Sequence, residues 1–259
     1  MSEPETLTVD VNGEACRVWR KGKGPKLGFL AGFGGLPRWT AFLDRLAEKR
    51  TVIAPSIPGF PGALGHRNLD THLDWMLALR QLLEKAELAG ADLVGATVGG
   101  GLAADVAAIW PASVRRLALI APWGLFDEKD PMTDPWAQRA AEVPGLLCAE
   151  PANWTAFKEA PTGANSVEWP IEQSRANEAA ARIYWPLGST HIERRLPLIQ
   201  APTLLLRGDK DRILPQSYIE RFAKEIAGKT EVRTIAGAGH VAELDKPNEV
   251  AAAVLAWTD

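Results

Sequence analysis

Two cysteines in 259 residues cannot build a disulfide framework. Cys16 lies in an alternating strand pattern and Cys148 in a helical one, which predicts buried or half-buried free thiols. The four histidines, His66, His72, His191 and His240, are scattered, and neither a Cys-x-x-Cys nor a His-x-x-x-His pair occurs. No structural or catalytic metal is therefore expected, and nothing calls for a cofactor. Charge of neither sign dominates: 29 Lys and Arg stand against 32 Asp and Glu, a net charge of -3. Such a balance provides no field to recruit nucleic acid or an anionic membrane. No stretch approaches the ~20 uninterrupted apolar residues that a bilayer span requires. The opening residues 1–6 are acidic and lack a basic end followed by an apolar run, so no secretory signal is read and a cytoplasmic location is expected. Internal repeats and low-complexity tracts are also missing. A small molecule is the expected partner, with neither nucleic acid nor membrane, in a monomer or homodimer.

What remains is a hydrophobic share of 46%, ordinary for a globular chain. Leu7–Val11 and Ala15–Trp19 alternate around Asn12-Gly13, the signature of a β-hairpin. Near-continuous apolar runs at Leu27–Ala31, Thr51–Ala54, Leu93–Ala96 and Leu117–Ala121 suit strands buried on both faces. Between them, helical periodicity runs through Trp39, Phe42, Leu43 and Leu46. It returns over 69–88, with Leu73, Met76, Leu77, Leu79, Leu82 and Leu83 at helical spacing, and again over 98–109. Pro55–Gly62 cannot be regular structure because of its prolines. Strands alternating with helices imply right-handed crossovers and a mostly parallel sheet covered on both faces. The rhythm changes over 123–198, where helical patches, prolines and five of the ten tryptophans occur without a clear buried strand. It resumes with a strand at Thr203–Leu206, a helix at 216–226, a strand at Glu231–Ile235 and a helix at 248–257. The expected architecture is an α/β core of residues 1–122 and 199–259 carrying a helical cap of residues 123–198.

The stretch Leu93–Gly101 joins a buried strand to an Ala-rich helix through Gly95-Ala96-Thr97-Val98-Gly99. The glycines let strand and helix pass closely and leave the central residue, Thr97, at the tip of a strained turn. The alternative is a Gly-rich turn without chemistry. Ligands of open parallel sheets bind outside the carboxyl ends of the strands. Two further loops reach that edge with reactive residues: Arg207–Pro215, with Asp211 and its rival Asp209, and Ala236–Pro247, with His240. Hydroxyl, acid and histidine thus follow in that chain order.

With these motifs the chain resembles the α/β-hydrolase superfamily, from the first hairpin to Trp257. The resemblance implies an eight-stranded, mostly parallel sheet, an inserted helical cap, and a triad in which Thr97 attacks, His240 moves the proton and Asp211 holds the imidazole. It assigns oxyanion stabilisation to the backbone N–H groups of Phe33 and Val98. Asp245 and Pro247 match the acid and proline that follow the family histidine. Two positions depart from the pattern: Thr97 stands where serine is usual, and Ala31 where a histidine commonly opens the oxyanion loop. Gly32, Trp123 and His191 are the candidate substrate contacts, Trp123 because it follows the sheet edge directly.

A small, partly apolar carboxylic ester or lactone is the expected substrate. Two other functions remain open on these residues. One is base chemistry by His240 and Asp211 without a covalent intermediate, as in lyases, C–C bond hydrolases or cofactor-independent dioxygenases. The other is a non-catalytic binder or receptor. A hydrogen bond of ~3 Å between Thr97 and His240, with His240 in an exposed loop, is the geometry expected of the triad.

Overall fold

A computed structural model describes residues 3–161 and 163–259. The first hairpin forms as its sequence requires: β1 (Glu5–Val11) and β2 (Glu14–Lys21) run antiparallel, with Val11 opposite Glu14. Asn12 and Gly13 between them have φ of 54° and 85°, the left-handed pair that a two-residue turn needs. Six more strands complete the sheet: β3 (Lys26–Leu30), β4 (Thr51–Pro55), β5 (Ala91–Ala96), β6 (Val114–Ile120), β7 (Thr203–Gly208) and β8 (Thr230–Ile235). Their order is β1-β2-β4-β3-β5-β6-β7-β8. β2 is antiparallel to β1 and β4, and the remaining neighbours are parallel.

Helices α1 (Ala41–Ala47), α2 (His72–Lys85) and α3 (Thr97–Ile109) follow β3, β4 and β5 in turn. The α2 helix starts at His72 because Thr71 and Asp74 form a reciprocal capping box there. Its core face holds Trp75, Met76, Ala78, Leu79, Leu82 and Leu83. Leu73 and Leu77, counted from their spacing as part of that face, are 53% and 47% exposed. They lie four residues apart, so they share the outer side, and Trp75 and Ala78 fill the inner one.

Every residue of α3 from Thr97 to Ala108 is buried. A helix apolar on all sides must be covered on all sides, and glycine makes that possible here. A Cβ on Gly99 would strike the carbonyl oxygens of Leu30 and Ala31, and one on Gly101 the Tyr184 hydroxyl and the Trp123 carbonyl. Between β6 and β7 the described residues of 123–198 contain helices α4 (Val143–Leu147), α5 (Pro151–Lys158) and α6 (Glu168–Tyr184), and no strand. After β7 come α7 (Gln216–Glu225), then, beyond β8, α8 (Ala242–Asp245) and α9 (Pro247–Thr258). Among the described residues, no helix is long and apolar enough to cross a membrane.

One charge sits within α3. Asp105 is fully buried, and its two oxygens meet His72 Nε2 at 2.6 Å and Arg195 Nε at 2.6 Å. His72 thus has a structural role. Removing one partner from a buried carboxylate costs about 3 kcal/mol or more, because the remaining charge is left uncompensated. Arg195→Met should therefore lower the free energy of unfolding by about 3 kcal/mol in urea titration. A loss under about 1 kcal/mol would mean that His72 alone satisfies the carboxylate.

Candidate active site

Thr97 closes β5 and opens α3 with φ of 44°. A β-branched residue in the left-handed region carries strain of roughly 1–3 kcal/mol, held by the packing around it. Its Oγ1 accepts a hydrogen bond of 2.6 Å from the backbone N–H of Phe33, in the loop after β3. Gly32 permits that approach: a Cβ there would collide with the same oxygen. Val98 stands in the first turn of α3, where backbone N–H groups have no intrahelical acceptor.

His240 follows β8 and Asp211 follows β7, and the two meet: Nδ1 lies 2.9 Å from Asp211 Oδ2. The other carboxylate oxygen, Oδ1, accepts from Ile213 and Leu214 N–H at 2.8 and 2.9 Å. Burial pushes the Asp211 carboxyl up, but the attraction to His240 when that ring is protonated, the hydrogen bond from it and those from the two amides outweigh it, and its pKa falls below the ordinary value. Asp209, the rival acid, instead accepts from Gly237 N–H at 2.7 Å.

His240 is 0% exposed, not in the open loop expected for it. The reason is a second set of bonds that ties the loop to the helical segment. Asp245 accepts from Ala149 N–H at 2.7 Å, Asn153 Nδ2 at 2.8 Å and Gly239 N–H at 2.8 Å. Val241 N–H donates to the Leu147 carbonyl at 2.8 Å.

The hydrogen bond expected between Thr97 and His240 is not formed. Nε2 of His240 accepts from the Trp123 indole at 2.9 Å instead, and the Trp123 backbone N–H donates to the Thr97 carbonyl at 3.1 Å. Trp123 therefore bridges the turn and the histidine. An indole N–H can only donate, so Nε2 is the acceptor and the proton of the neutral ring sits on Nδ1, facing Asp211. Phe33 packs on Trp123, Trp136 and Trp154 with ring centroids 5.9, 5.5 and 6.2 Å apart. Trp123 also packs edge-on against Tyr184 at 5.7 Å. His191 does not join this cluster: its side chain is 62% exposed and pairs with Glu193.

Two ionisable residues near the site carried no local signal in the sequence. Glu243, one turn past His240, is buried, and burial, opposed by its own backbone N–H and reinforced by Asp245, pushes its carboxyl up to about 7. Its Oε2 has no hydrogen-bond partner among the described residues. Lys158, at the end of α5, lies under the loop that carries Phe33 and donates to the Gly34 carbonyl at 3.3 Å. A cleft of about 740 Å³ opens elsewhere, around His66, Arg67 and Glu178.

The fold and these motifs agree with the alpha/beta hydrolase family model, which matches residues 29–253. The chain belongs to this family. Among curated relatives, it is 27% identical to the dihydrolipoyllysine-residue acetyltransferase component of the acetoin cleaving system of Cupriavidus necator, over 93% of this chain and 66% of that protein. The chain thus spans just under two thirds of that relative's length. It is 24% identical to 2-hydroxy-6-oxo-2,4-heptadienoate hydrolase of Pseudomonas putida, over 93% of this chain and 88% of that one. Naproxen esterase, a carboxylesterase of Bacillus subtilis, shares the fold with a TM-score of 0.75 at 16% identity, over 99% and 92% of the two chains.

The Glu243 carboxyl gives this α/β hydrolase a pH-dependent cost. Between about pH 4.5 and 7 the unfolded chain has released a proton that the folded chain keeps, so stability falls as pH rises through that window. Above it the full cost, on the order of 3 kcal/mol, remains. Glu243→Gln should raise stability near pH 8 by about 2 kcal/mol, an unpaired amide offsetting part of the gain, and change little near pH 4. Thermal melts at the two pH values measure the difference.

Proposed function

We propose that this α/β hydrolase cleaves a small, partly apolar carbonyl compound, a carboxylic ester or lactone, with Thr97 as nucleophile, His240 as base and Asp211 as its orienting acid. The observation that carries the reading is the buried Asp211–His240 pair, linked through Trp123 to a strained hydroxyl residue that a backbone N–H already reaches. In the forward step His240 Nε2 takes the Thr97 hydroxyl proton while Oγ1 bonds to the carbonyl carbon. The carbonyl π electrons move to oxygen, which accepts from the N–H groups of Phe33 and Val98. Collapse breaks the bond to the leaving oxygen, which takes the proton from Nε2. Water then repeats the sequence on the acyl-threonine, releasing the acid and restoring Thr97. Asp211 stays ionised throughout and stabilises the imidazolium.

Two resting hydrogen bonds have to be exchanged first. Phe33 N–H must pass from Thr97 Oγ1 to the substrate oxygen, and the Trp123 indole must leave Nε2. Each exchange costs on the order of 1 kcal/mol net, a small demand if substrate supplies the replacement. In this reading Trp123 is the gate of the base, and the helices of 123–198 are the lid that excludes water.

One observation favours a second reading. Thr97 Oγ1 is held by Phe33 and not by His240, as suits a residue that only orients substrate while His240 acts as base. A C–C bond hydrolase works in that way without an acyl-threonine, and one curated relative carries such a hydrolase name.

Short 4-nitrophenyl esters and an organophosphonate, followed by intact mass, separate the two. For a nucleophilic Thr97, the adduct maps to Thr97, Thr97→Ser holds or raises turnover, and Thr97→Ala abolishes it. Trp123→Phe, which removes the donor on Nε2, should speed labelling several-fold, whereas His240→Ala should stop it. An orienting hydroxyl contributes about one hydrogen bond, so Thr97→Ala would then lose roughly tenfold. An Ala variant that keeps a tenth of the rate, measured against a His240→Ala control, excludes the covalent mechanism.

A further inference from the structure

A cavity of about 330 Å³ lies against the loop that carries Phe33 and Gly34, and Trp136, Trp154, Lys158 and Gln173 are among the residues that line it. Lys158 approaches the loop closely enough that a Cβ on Gly34 would come within 2.9 Å of its Nζ. Its single hydrogen bond runs to the Gly34 carbonyl, and its ammonium lies 5.5 Å from the centroid of Trp154. Among the described residues it forms no ion pair. The charged groups around it are Glu172 on α6, which already accepts from Gly62 N–H at 2.8 Å, and Arg38, bonded to the Glu159 carbonyl. Burial, opposed by Glu172, pulls the lysine down to about 8. Gln173 Nε2 and Oε1 are both shielded from solvent and have no partner among the described residues.

A half-buried cation without an ion-pair partner and an amide whose polar atoms are shielded from solvent and unbonded each cost free energy. An anionic group with two acceptor oxygens relieves both costs at once. One ammonium matches one negative charge, so a carboxylate fits, whereas a dianionic phosphate would leave charge uncompensated in an aromatic-walled space. We propose that this cavity is the acid-recognition subsite of the hydrolase, where Lys158 and Gln173 receive a carboxylate of a substrate whose carbonyl carbon reaches Thr97 along the Gly32–Gly34 loop. The favoured substrates are then monoesters or lactones that bear a free carboxylate on a short chain. The subsite rests on the hydrolase reading for its role in turnover but not for its ability to bind.

Glutarate, which cannot be hydrolysed, is the probe for binding, and its neutral diamide is the control. Calorimetry on the wild-type protein near pH 7 should show saturable glutarate binding that the diamide does not reproduce. Affinity should drop at least about tenfold near pH 9.5, where a lysine titrating at about 8 has lost its charge while glutarate keeps both of its own. Lys158→Met should lose at least as much, and Gln173→Leu several-fold. In turnover, the preference for the 4-nitrophenyl monoester of glutaric acid over 4-nitrophenyl pentanoate should fall at least tenfold in Lys158→Met. No glutarate binding, or binding unchanged at high pH, overturns the subsite even if the Met variant fails to fold. Glutarate binding without turnover of any ester leaves the subsite standing and removes the hydrolase reading; turnover without binding or charge preference does the reverse.

Discussion

The fully buried imidazole of His240 is the constraint around which the rest of this site is arranged. It lies between a carboxylate from the loop after β7 and an indole from the segment after β6. Because the indole can only donate, the ring is neutral with its proton toward Asp211, and this single tautomer satisfies both partners. The arrangement fixes three chain segments relative to one another, since Trp123 also binds the carbonyl of Thr97. It also leaves Nε2 as an acceptor, the state that a general base requires. The bond that shuts the resting site is therefore the same one that keeps Nε2 free of a proton, as the proposed mechanism needs.

Burial acts on three ionisable groups around this site, and their partners decide the outcome. Asp211 has an imidazole and two backbone amides, and its pKa falls in spite of desolvation. Glu243 has only its own backbone N–H and a like-charged neighbour, and it rises to about 7. Lys158 has one carbonyl and a carboxylate bonded elsewhere, and it falls to about 8. A paired group is structural or catalytic machinery held in its charged form. The unpaired ones are costs, and a cost that persists in a cavity wall points to something that enters the cavity. That difference is why Lys158, and not the better-paired His72–Asp105–Arg195 cluster, marks a binding position.

How much of this was legible in the sequence follows from how local each signal is. The hairpin at Asn12-Gly13 and the elbow around Thr97 rest on backbone conformations that a few neighbouring residues dictate, and both form as read. The segment 56–62 is irregular as its prolines require, but Pro55, included in that stretch, closes β4, because the last residue of a strand can do without a ladder donor. Hydroxyl, acid and histidine could be put in order because each follows a strand recognisable by its apolar run. Asp211 is favoured over Asp209 by the family resemblance and not by local pattern, since both lie in one turn and only the fold of the β7 loop decides which faces His240. The helical spacing of Leu73 and Leu77 misled for the converse reason: periodicity marks a face but does not say which of two apolar faces the sheet covers. His240 is buried where an exposed loop is expected from the sequence, because bonds from Val241 and Asp245 tie its loop to α4 and α5, far away in the chain. Lys158 and Glu243 carry no local mark at all, and their character comes entirely from elements that pack on them.

Threonine at position 97 gains a physical meaning from this setting. Its left-handed φ already strains a β-branched residue, and branching leaves its hydroxyl few rotamers. With Oγ1 bound to Phe33 N–H at 2.6 Å, one rotamer is selected at rest, and the oxygen occupies the position that the N–H would otherwise offer to a substrate. A serine would have to leave the same hydrogen bond but would change rotamer at little further cost. Threonine must leave both a hydrogen bond and a preferred χ1, a combined demand on the order of 2 kcal/mol, or a factor of about 30 in rate. That is small against the acceleration a hydrolase supplies. A carbonyl oxygen that takes over the Phe33 N–H would remove the hydrogen-bonding part of that demand. Under the proposed mechanism, substrate binding and release of the hydroxyl thus become one event, and the hydrogen bond to Phe33 makes attack by Thr97 conditional on an occupied site, while the methyl group adds a fixed rotamer cost.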